Sequence, residues 1–128
     1  MSNEQTKSGE PTSFREILNE MNEAGQFQVS VLTSVEGLPI ATSPRDYDSD
    51  LISAMVALIQ RVSNDAQSQL GMADVDEVTI HDRDRIRLVC RYIAFGGERL
   101  ILAALVPPNK PYRRVTNRAV RQIKRLLS

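Results

Sequence analysis

A run of seven residues at positions 100–106, LILAALV, constrains the fold of this chain more than any other feature. Side chains of a β-strand alternate between two faces, and in this run both faces are apolar. A strand with that pattern must be covered on both sides, as the middle strands of a layered sheet are. The run is also far too short to cross a bilayer as a helix. The sequence therefore predicts a sheet with helices on both faces.

Four further strands are indicated around this central one. Residues 27–34 alternate between apolar and mostly polar side chains, a Glu-Gly turn follows, and residues 38–42 return as a second strand. Pro39 cannot donate a hydrogen bond to a neighbouring strand, which places the second strand at a sheet edge. Residues 78–81 and 86–95 form two more strands, and a Gly-Gly hairpin leads from the latter into the central strand.

Three amphipathic helices complete the pattern. The first begins at Ser13, whose spacing from Glu16 is that of a capping box. The second, residues 48–70, is the longest, and the third covers residues 112–127 after a proline-rich break. The order is α-β-β-α-β-β-β-α. We therefore predict an α+β fold (an α/β sandwich) with a five-stranded antiparallel sheet and helices on both faces.

The second helix carries more apolar surface than one sheet needs. Its main apolar residues fall within an arc of about 120°, and we expect this arc to face the sheet: Leu51, Ile52, Met55, Leu58, Ile59, Val62, Ala66 and Leu70. Ala54 and Ala57 on one flank and Val56 on the other widen the apolar arc to about 200°. Small residues would let a second backbone approach closely. Alternatively, the alanines are only good helix formers on an exposed surface.

Nothing in the sequence indicates enzymatic chemistry. His81 is the only histidine, so it cannot form a histidine metal cluster, and we expect a surface or pairing role for it. Cys90 lies on an apolar strand face, as expected of a buried and unreactive thiol. Three aspartates precede or open the second helix, where negative charge suits the helix dipole: Asp46, Asp48 and Asp50. Since no phosphate-binding or nucleophile motif is present either, we predict no catalytic residue, no metal and no cofactor.

Charge is balanced overall but segregated along the chain. Residues 1–50 contain nine acidic and three basic side chains, whereas residues 110–128 contain seven basic and no acidic ones. The last helix therefore has a strongly basic outer face, either solvated and partly neutralised by the acidic half or able to contact an anionic partner or lipid. No aromatic residue lies among these cations, so we expect no nucleic-acid partner.

The amino-terminal residues bear on two predictions, a disordered tail and the cellular compartment. Residues 1–11 are polar and contain Gly and Pro, so we predict a disordered tail followed by a single domain over residues 12–128. They lack the basic start and apolar segment of a signal peptide. The single cysteine fits a reducing environment. We therefore expect a cytoplasmic protein without a membrane span.

Several segments, taken in order, have a recognisable pattern. They are FREILNEM at residues 14–21, VSVLTSVEGLPIA at 29–41 and LISAMVAL at 51–58, followed by the LILAAL strand and a closing helix that ends in IKRLL. Over residues 13–127 the chain resembles the roadblock / dynein light-chain family, to which bacterial activators of Ras-like polarity GTPases belong. The Gly-Leu-Pro-Ile-Ala hairpin before a Met-bearing helix is the most specific part. The strongly basic last helix is a departure from the family pattern.

The resemblance implies a strand order and a dimer. The family order is 2-1-5-4-3, which places Pro39 near one edge of the sheet and the third strand at the other. Family members pair the third strands across a two-fold axis and pack their second helices side by side, which would cover an exposed edge. The implied homodimer interface contains Ala54, Ala57, Leu58, Val78, Thr79 and Ile80.

The resemblance also implies a function in binding. Such dimers bind small Ras-like GTPases as regulators or scaffolds, and those that accelerate hydrolysis reshape the switch loops of the GTPase itself. Ser53, Arg61 and Asp65, on the exposed side of the second helix, are then the candidate contacts. The alternative is a structural adaptor that docks an acidic protein or an anionic lipid surface through its basic helix. That helix would use Arg114, Arg118, Arg121 and Arg125.

Overall fold

The computed structural model describes residues 9–128, which form one antiparallel sheet of five strands in the order β2-β1-β5-β4-β3. The strands are β1 (Val29–Ser34), β2 (Pro39–Ser43), β3 (Glu77–His81), β4 (Arg87–Phe95) and β5 (Glu98–Val106). The helices are α1 (Phe14–Gly25), α2 (Ser49–Leu70) and α3 (Arg113–Leu127). Both the predicted element order and the strand order are confirmed.

The central strand β5 is covered on both faces, as its sequence requires. It pairs with β1 along one side and with β4 along the other. Leu102 and Ala104 pack into a core shared with α1 and α3. Ile101 and Ala103 pack into a second core beneath α2. The sheet thus carries two helices on one face and a single helix on the other.

The amino-terminal helix begins where its capping residue predicts. Ser13 is the N-cap, and its hydroxyl oxygen accepts a hydrogen bond from the backbone N–H of Glu16 at 3.1 Å. The Glu16 carboxylate accepts from the backbone N–H of Thr12 at 2.6 Å, one residue before the position expected in a capping box. Of the predicted tail, residues 1–8 lie outside the described residues, whereas Pro11 is buried.

The first strand differs from its prediction. It begins at Val29, and residues Val29 to Thr33 are buried on both faces of the strand. Phe27 lies before the strand and packs into the core beneath α1 and α3. The alternation predicted from Phe27 onward is therefore wrong at its first position, because Gln26 adopts a left-handed conformation with φ of 60° and redirects the chain.

Tyr92 of β4 fixes the rotation of α2 over the sheet. Its hydroxyl donates a hydrogen bond to the side-chain oxygen of Gln60 at 2.6 Å and lies 2.8 Å from the hydroxyl of Ser63. The guanidinium of Arg99 lies over the same ring, 4.0 Å from its centroid. A buried tyrosine that reaches polar partners in this way holds one face of the helix against the strand.

The predicted sheet-facing arc of α2 is wrong as a consequence. Val56, Ile59 and Ser63 are buried against the sheet, and Ile52 packs beside them. Five of the large apolar residues expected there are exposed instead: Leu51, Met55, Leu58, Val62 and Leu70. Because Tyr92 draws the polar side of the helix towards β4, the helix turns part of its apolar surface to solvent.

The last helix faces the core with a narrow apolar stripe. Ala119 and Ile123 are buried, and Val115 packs at the margin of the core. Leu126 is 37% exposed, and Leu127 packs against the core in its place. The apolar stripe therefore ends at Leu127, the last residue of the helix, and not at Leu126.

The turn between β1 and β2 lies directly against α2. Gly37 has φ of +92°, and a Cβ atom at this position would lie 2.7 Å from the backbone oxygen of Ser53. Two constraints therefore favour glycine here: the left-handed backbone and the close approach of a helix carbonyl. The Gly-Leu-Pro hairpin serves as a support for the first half of α2.

Gly37→Ala should destabilise the fold by about 2–3 kcal/mol, since it combines an unfavourable backbone conformation with an overlap. Gly97→Ala is the matched control, because Gly97 has φ of +85° but nothing within 4 Å of the added Cβ. We expect the control to lose only about 1 kcal/mol. Urea unfolding measures both losses. Equal losses would show that the contact with Ser53 contributes nothing.

Candidate functional site

A stripe of large apolar side chains runs along the exposed side of α2. It consists of Leu51, Met55, Leu58 and Val62, which are 66%, 42%, 53% and 61% exposed and which we call the α2 stripe. Their spacing of four, three and four residues places them on one face of the helix. Contiguous apolar side chains exposed to this extent are typical of a protein interface.

The third strand has an unpaired edge on the opposite border of the sheet from β2. Within residues 9–128, β3 pairs with β4 alone. Its outer edge therefore presents backbone N–H and C=O groups that could pair with another strand. Val78 packs in the core beneath α2, and Ile80, on the same strand face, is 44% exposed.

The α2 stripe and the β3 edge lie on the same side of the sheet. The helix packs over β2, β1 and β5, so it leaves β4 and β3 less covered. On this side Leu88 of β4 and Val78 of β3 are both only half-buried. A partner that covered the stripe would therefore also meet the apolar face of β3.

The structure brings together only part of the predicted dimer interface. Leu58 and Ala54 are exposed on α2, and Val78 and Ile80 lie on the α2 side of β3. Thr79 has its side chain on the other face, where its hydroxyl donates to the Glu77 carboxylate at 2.7 Å. Its backbone remains part of the β3 edge.

Ala57 lies on a different side of α2 from the stripe. It is half-buried next to the β1–β2 turn. A Cβ atom added to Gly37 would lie 3.5 Å from the Cβ of Ala57. The backbone that approaches Ala57 in the single chain is that of the β1–β2 turn, and the place of Ala57 in a dimer interface stays a prediction. The apolar side chains that α2 exposes in its stripe are large ones.

The three residues predicted to contact a partner also differ in exposure. Arg61 and Asp65 are exposed on α2, one helical turn apart, and flank the α2 stripe. Ser53 is only 8% exposed and lies beneath the β1–β2 turn, so its predicted position on the exposed side is wrong. Two polar residues thus remain available beside the stripe.

A charged network on the opposite face ties β3 to α3. The Glu77 carboxylate accepts a hydrogen bond from the Tyr112 hydroxyl at 2.6 Å and lies 3.4 Å from the Arg113 guanidinium. Arg91 of β4 approaches the same carboxylate at 3.9 Å and donates to the hydroxyl of Thr116 at 2.9 Å. The network fixes the start of α3 over the edge of the sheet.

The environment of Glu77 favours its charged form. Burial raises the pKa of this carboxyl, but hydrogen bonds from Tyr112 and Thr79 and the positive charges of Arg113 and Arg91 outweigh it and lower the pKa below 4.5. The bond to Glu77 and burial together raise the pKa of the Tyr112 hydroxyl. This is a structural ion network that links secondary-structure elements.

The burial expected of the single cysteine is confirmed. Cys90 is fully buried, and burial, followed by the nearby Glu77 charge, raises its pKa to about 12. A thiol in this environment is neutral and unreactive. Among residues 9–128, no three His, Cys, Asp or Glu side chains come together as metal ligands. No helix in that range is long and apolar enough to cross a membrane.

The basic residues of α3 form an exposed surface on the face away from α2. Arg114, Arg118, Arg121 and Arg125 are all exposed. Arg125 pairs with Glu10, which precedes α1. These four arginines therefore lie on the opposite side of the sheet from the α2 stripe.

Two features of the site were missed by sequence reasoning. The 4-3-4 spacing from Leu51 to Val62 is visible in the sequence, but the same spacing predicts a contact with the sheet. Gln60 and Ser63, spaced by three residues, were the signal that the buried side of α2 is partly polar. The Glu77 network left no local signal, because its members come from β3, β4 and α3.

Comparisons with known proteins agree with this architecture. The family model of the Roadblock/LC7 domain matches residues 14–91. Myxococcus xanthus MglB has a similar structure, with a TM-score of 0.77 at 12% identity over 93% of this chain and 98% of that one. The gliding protein MglB from Thermus thermophilus gives a TM-score of 0.69 at 18% identity over 92% and 91% of the two chains.

A third solved structure is similar to the same extent. A Roadblock/LC7 domain from Streptomyces avermitilis gives a TM-score of 0.73 at 18% identity, over 88% of this chain and 96% of that one. At such identities the similarity shows a shared fold. No curated protein sequence matches the chain significantly.

Replacing Glu77 should make stability depend on pH in a defined direction. Glu77→Gln should cost about 1–2 kcal/mol at pH 7, because the half-buried Arg91 loses its carboxylate. Since the folded-state pKa of Glu77 is lowered, this contribution is present above the unfolded pKa and lost as pH falls through the folded value. The difference between wild type and variant should therefore shrink below about pH 4.5.

Denaturant unfolding between pH 3 and pH 7 measures this difference. Glu98→Gln, which removes an exposed carboxylate from β5, is the control and should stay within about 0.5 kcal/mol of wild type. A Glu77→Gln difference that is independent of pH would contradict the role assigned to the Glu77 charge.

Proposed function

Since the chain belongs to the Roadblock/LC7 family, we propose that it is a homodimeric regulator that binds a small Ras-like GTPase and shifts its nucleotide cycle without contributing a catalytic residue. The observation that carries the proposal is the α2 stripe beside the unpaired β3 edge. Both features are unfavourable in an isolated chain, and one partner on this side of the sheet would cover them together.

A second copy of the chain fits this surface. Two β3 edges can pair antiparallel across a two-fold axis, which extends each sheet into the other. The same operation places the two α2 helices side by side, so that each stripe covers the other. Completing the burial of each half-exposed apolar side chain contributes about 1 kcal/mol, and the four residues occur twice in the dimer.

The helix pair of such a dimer would provide a platform for the GTPase. Arg61 and Asp65 flank the stripe and remain at the rim when the stripe is covered. Charged rim residues set the orientation and rate of association more than its strength. A regulator needs only different affinities for two states of its partner, and this explains an ordered surface without catalytic groups.

The dimer is tested by charge reversal within the stripe. Wild type at micromolar concentration should have twice the mass of one chain by light scattering, and Leu58→Glu should be monomeric, because two carboxylates would meet near the two-fold axis. The variant should keep its fold, since Leu58 is 53% exposed in the single chain. Asn64→Glu, at an exposed position on the other side of α2, should remain dimeric.

A monomeric mass for the wild type would contradict the dimer. So would a dimeric Leu58→Glu variant with an unchanged dissociation constant. Circular dichroism of the variants separates loss of assembly from loss of fold.

The partner is tested by capture with a defined nucleotide. The immobilised chain is incubated with lysate of the source organism in GDP and, separately, in a non-hydrolysable GTP analogue. We expect one small GTPase, identified by mass spectrometry, in only one of the two nucleotide states. With the purified GTPase, Arg61→Glu combined with Asp65→Lys should weaken binding by about three- to tenfold.

Arg83→Glu, in the turn between β3 and β4, is the charge-reversal control and should leave GTPase binding unchanged. Absence of a GTPase from both samples, or equal retention in both nucleotide states, would contradict the proposed regulation.

A further inference from the structure

A cleft opens between α1 and α3 on the sheet face opposite the α2 stripe. Its volume is about 370 Å³. Met21 and Ala119 are buried at its floor, and Ala24 and Val115 contribute apolar walls. Such a cleft can accept one or two apolar side chains of a partner.

The border of the cleft is charged. Arg114 and Arg118 line it from α3, and Glu20 lines it from α1. Because the two arginines are four residues apart, they lie on one side of the helix. Guanidinium groups at the rim of an apolar cleft favour a ligand that combines apolar and acidic side chains.

A smaller cavity of about 140 Å³ continues the cleft along α3. It is lined by Glu10, Arg118, Arg121, Gln122 and Arg125, so that Arg118 and Gln122 border both cavities. From Arg114 to Arg125 the surface extends about 16 Å along the helix axis. We call the two cavities together the α1–α3 groove.

One carboxylate already occupies the basic half of the groove. Glu10, in the segment that precedes α1, forms an ion pair with the Arg125 guanidinium at 2.5 Å. The two side chains are 67% and 57% exposed, and exposed pairs of this kind are weak. Glu10 therefore shows which group the arginines accept, and a competing carboxylate could displace it.

The other arginines of the groove have no such partner among residues 9–128. In that range Arg114, Arg118 and Arg121 lie beyond 4.0 Å from every carboxylate, whereas Arg91, Arg113 and Arg125 form ion pairs. The groove thus combines an excess of guanidinium groups with an apolar recess.

We propose that the α1–α3 groove binds an acidic amphipathic helix of a partner protein. One carboxylate of this helix takes the place of Glu10 on Arg125, and another pairs with Arg118 or Arg114. Apolar side chains on the same face of the ligand helix enter the cleft over Met21 and Ala119. The groove length corresponds to about three helical turns of such a ligand.

Two observations favour a peptide over an anionic membrane. The apolar surface is recessed between two helices, whereas a membrane-binding helix presents its apolar face outward. Glu10 and Glu20 line the groove, and carboxylates there would repel a sheet of lipid phosphates. Because the groove and the α2 stripe lie on opposite faces, peptide binding here does not require the proposed dimer or GTPase contact.

Selection from a library of random 16-residue peptides on phage tests the proposal with the full chain as target. We expect enriched peptides with Asp or Glu and apolar residues spaced by three and four positions. The affinity of one enriched synthetic peptide is then measured by fluorescence anisotropy. Arg118→Glu should weaken it at least about tenfold, and Arg83→Glu should leave it unchanged.

Glu10→Gln tests the role of the groove in binding separately from any effect on the fold. Removal of the internal competitor should strengthen peptide binding by about two- to threefold. Since Glu10 and Arg118 are exposed, both variants should melt within a few degrees of wild type.

Two results would overturn the proposal. One is the absence of acidic amphipathic sequences from the selection, or peptide binding that Arg118→Glu does not weaken. The other is binding to vesicles of phosphatidylserine and phosphatidylcholine that Arg118→Glu abolishes while no peptide is enriched, which would assign the arginines to lipid.

Discussion

The structure depends on the requirement that β5 be covered on both faces. Leu102 and Ala104 need a helical layer on one side, and Ile101 and Ala103 need one on the other. Three helices cannot divide equally between two faces. Two of them, α1 and α3, cover one face together, and α2 alone covers β2, β1 and β5 on the other. The uncovered apolar surface along α2 and β3 follows from this division.

The sequence was sufficient for the elements and their layering, because those depend on local periodicity and on the doubly apolar run. It was insufficient for the rotation of α2. An apolar arc that covers more than half of a helix does not determine which part meets the sheet. The choice is made by Tyr92, which reaches Gln60 and Ser63, and by Gly37, which admits the carbonyl of Ser53. These contacts join residues far apart in the chain.

The candidate surfaces also differ in how much of each the sequence predicts. Leu58, Ile80 and the basic residues of α3 could be identified from pattern and charge. The α1–α3 groove could not, because Met21 and Arg118 come from opposite ends of the chain and only the packing of α1 on α3 makes them neighbours. Glu10 lies in the segment predicted to be a tail, and only the folded chain makes it a neighbour of Arg125.

The Glu77 network gives β3 a second property. One face and the outer edge of this strand belong to the surface proposed for assembly, while its other face holds Tyr112 and Arg113 at the start of the helix that carries the groove. A ligand that shifted α3 would therefore change the free energy of pairing at the β3 edge. By thermodynamic reciprocity, assembly at that edge would change the affinity of the groove by the same factor.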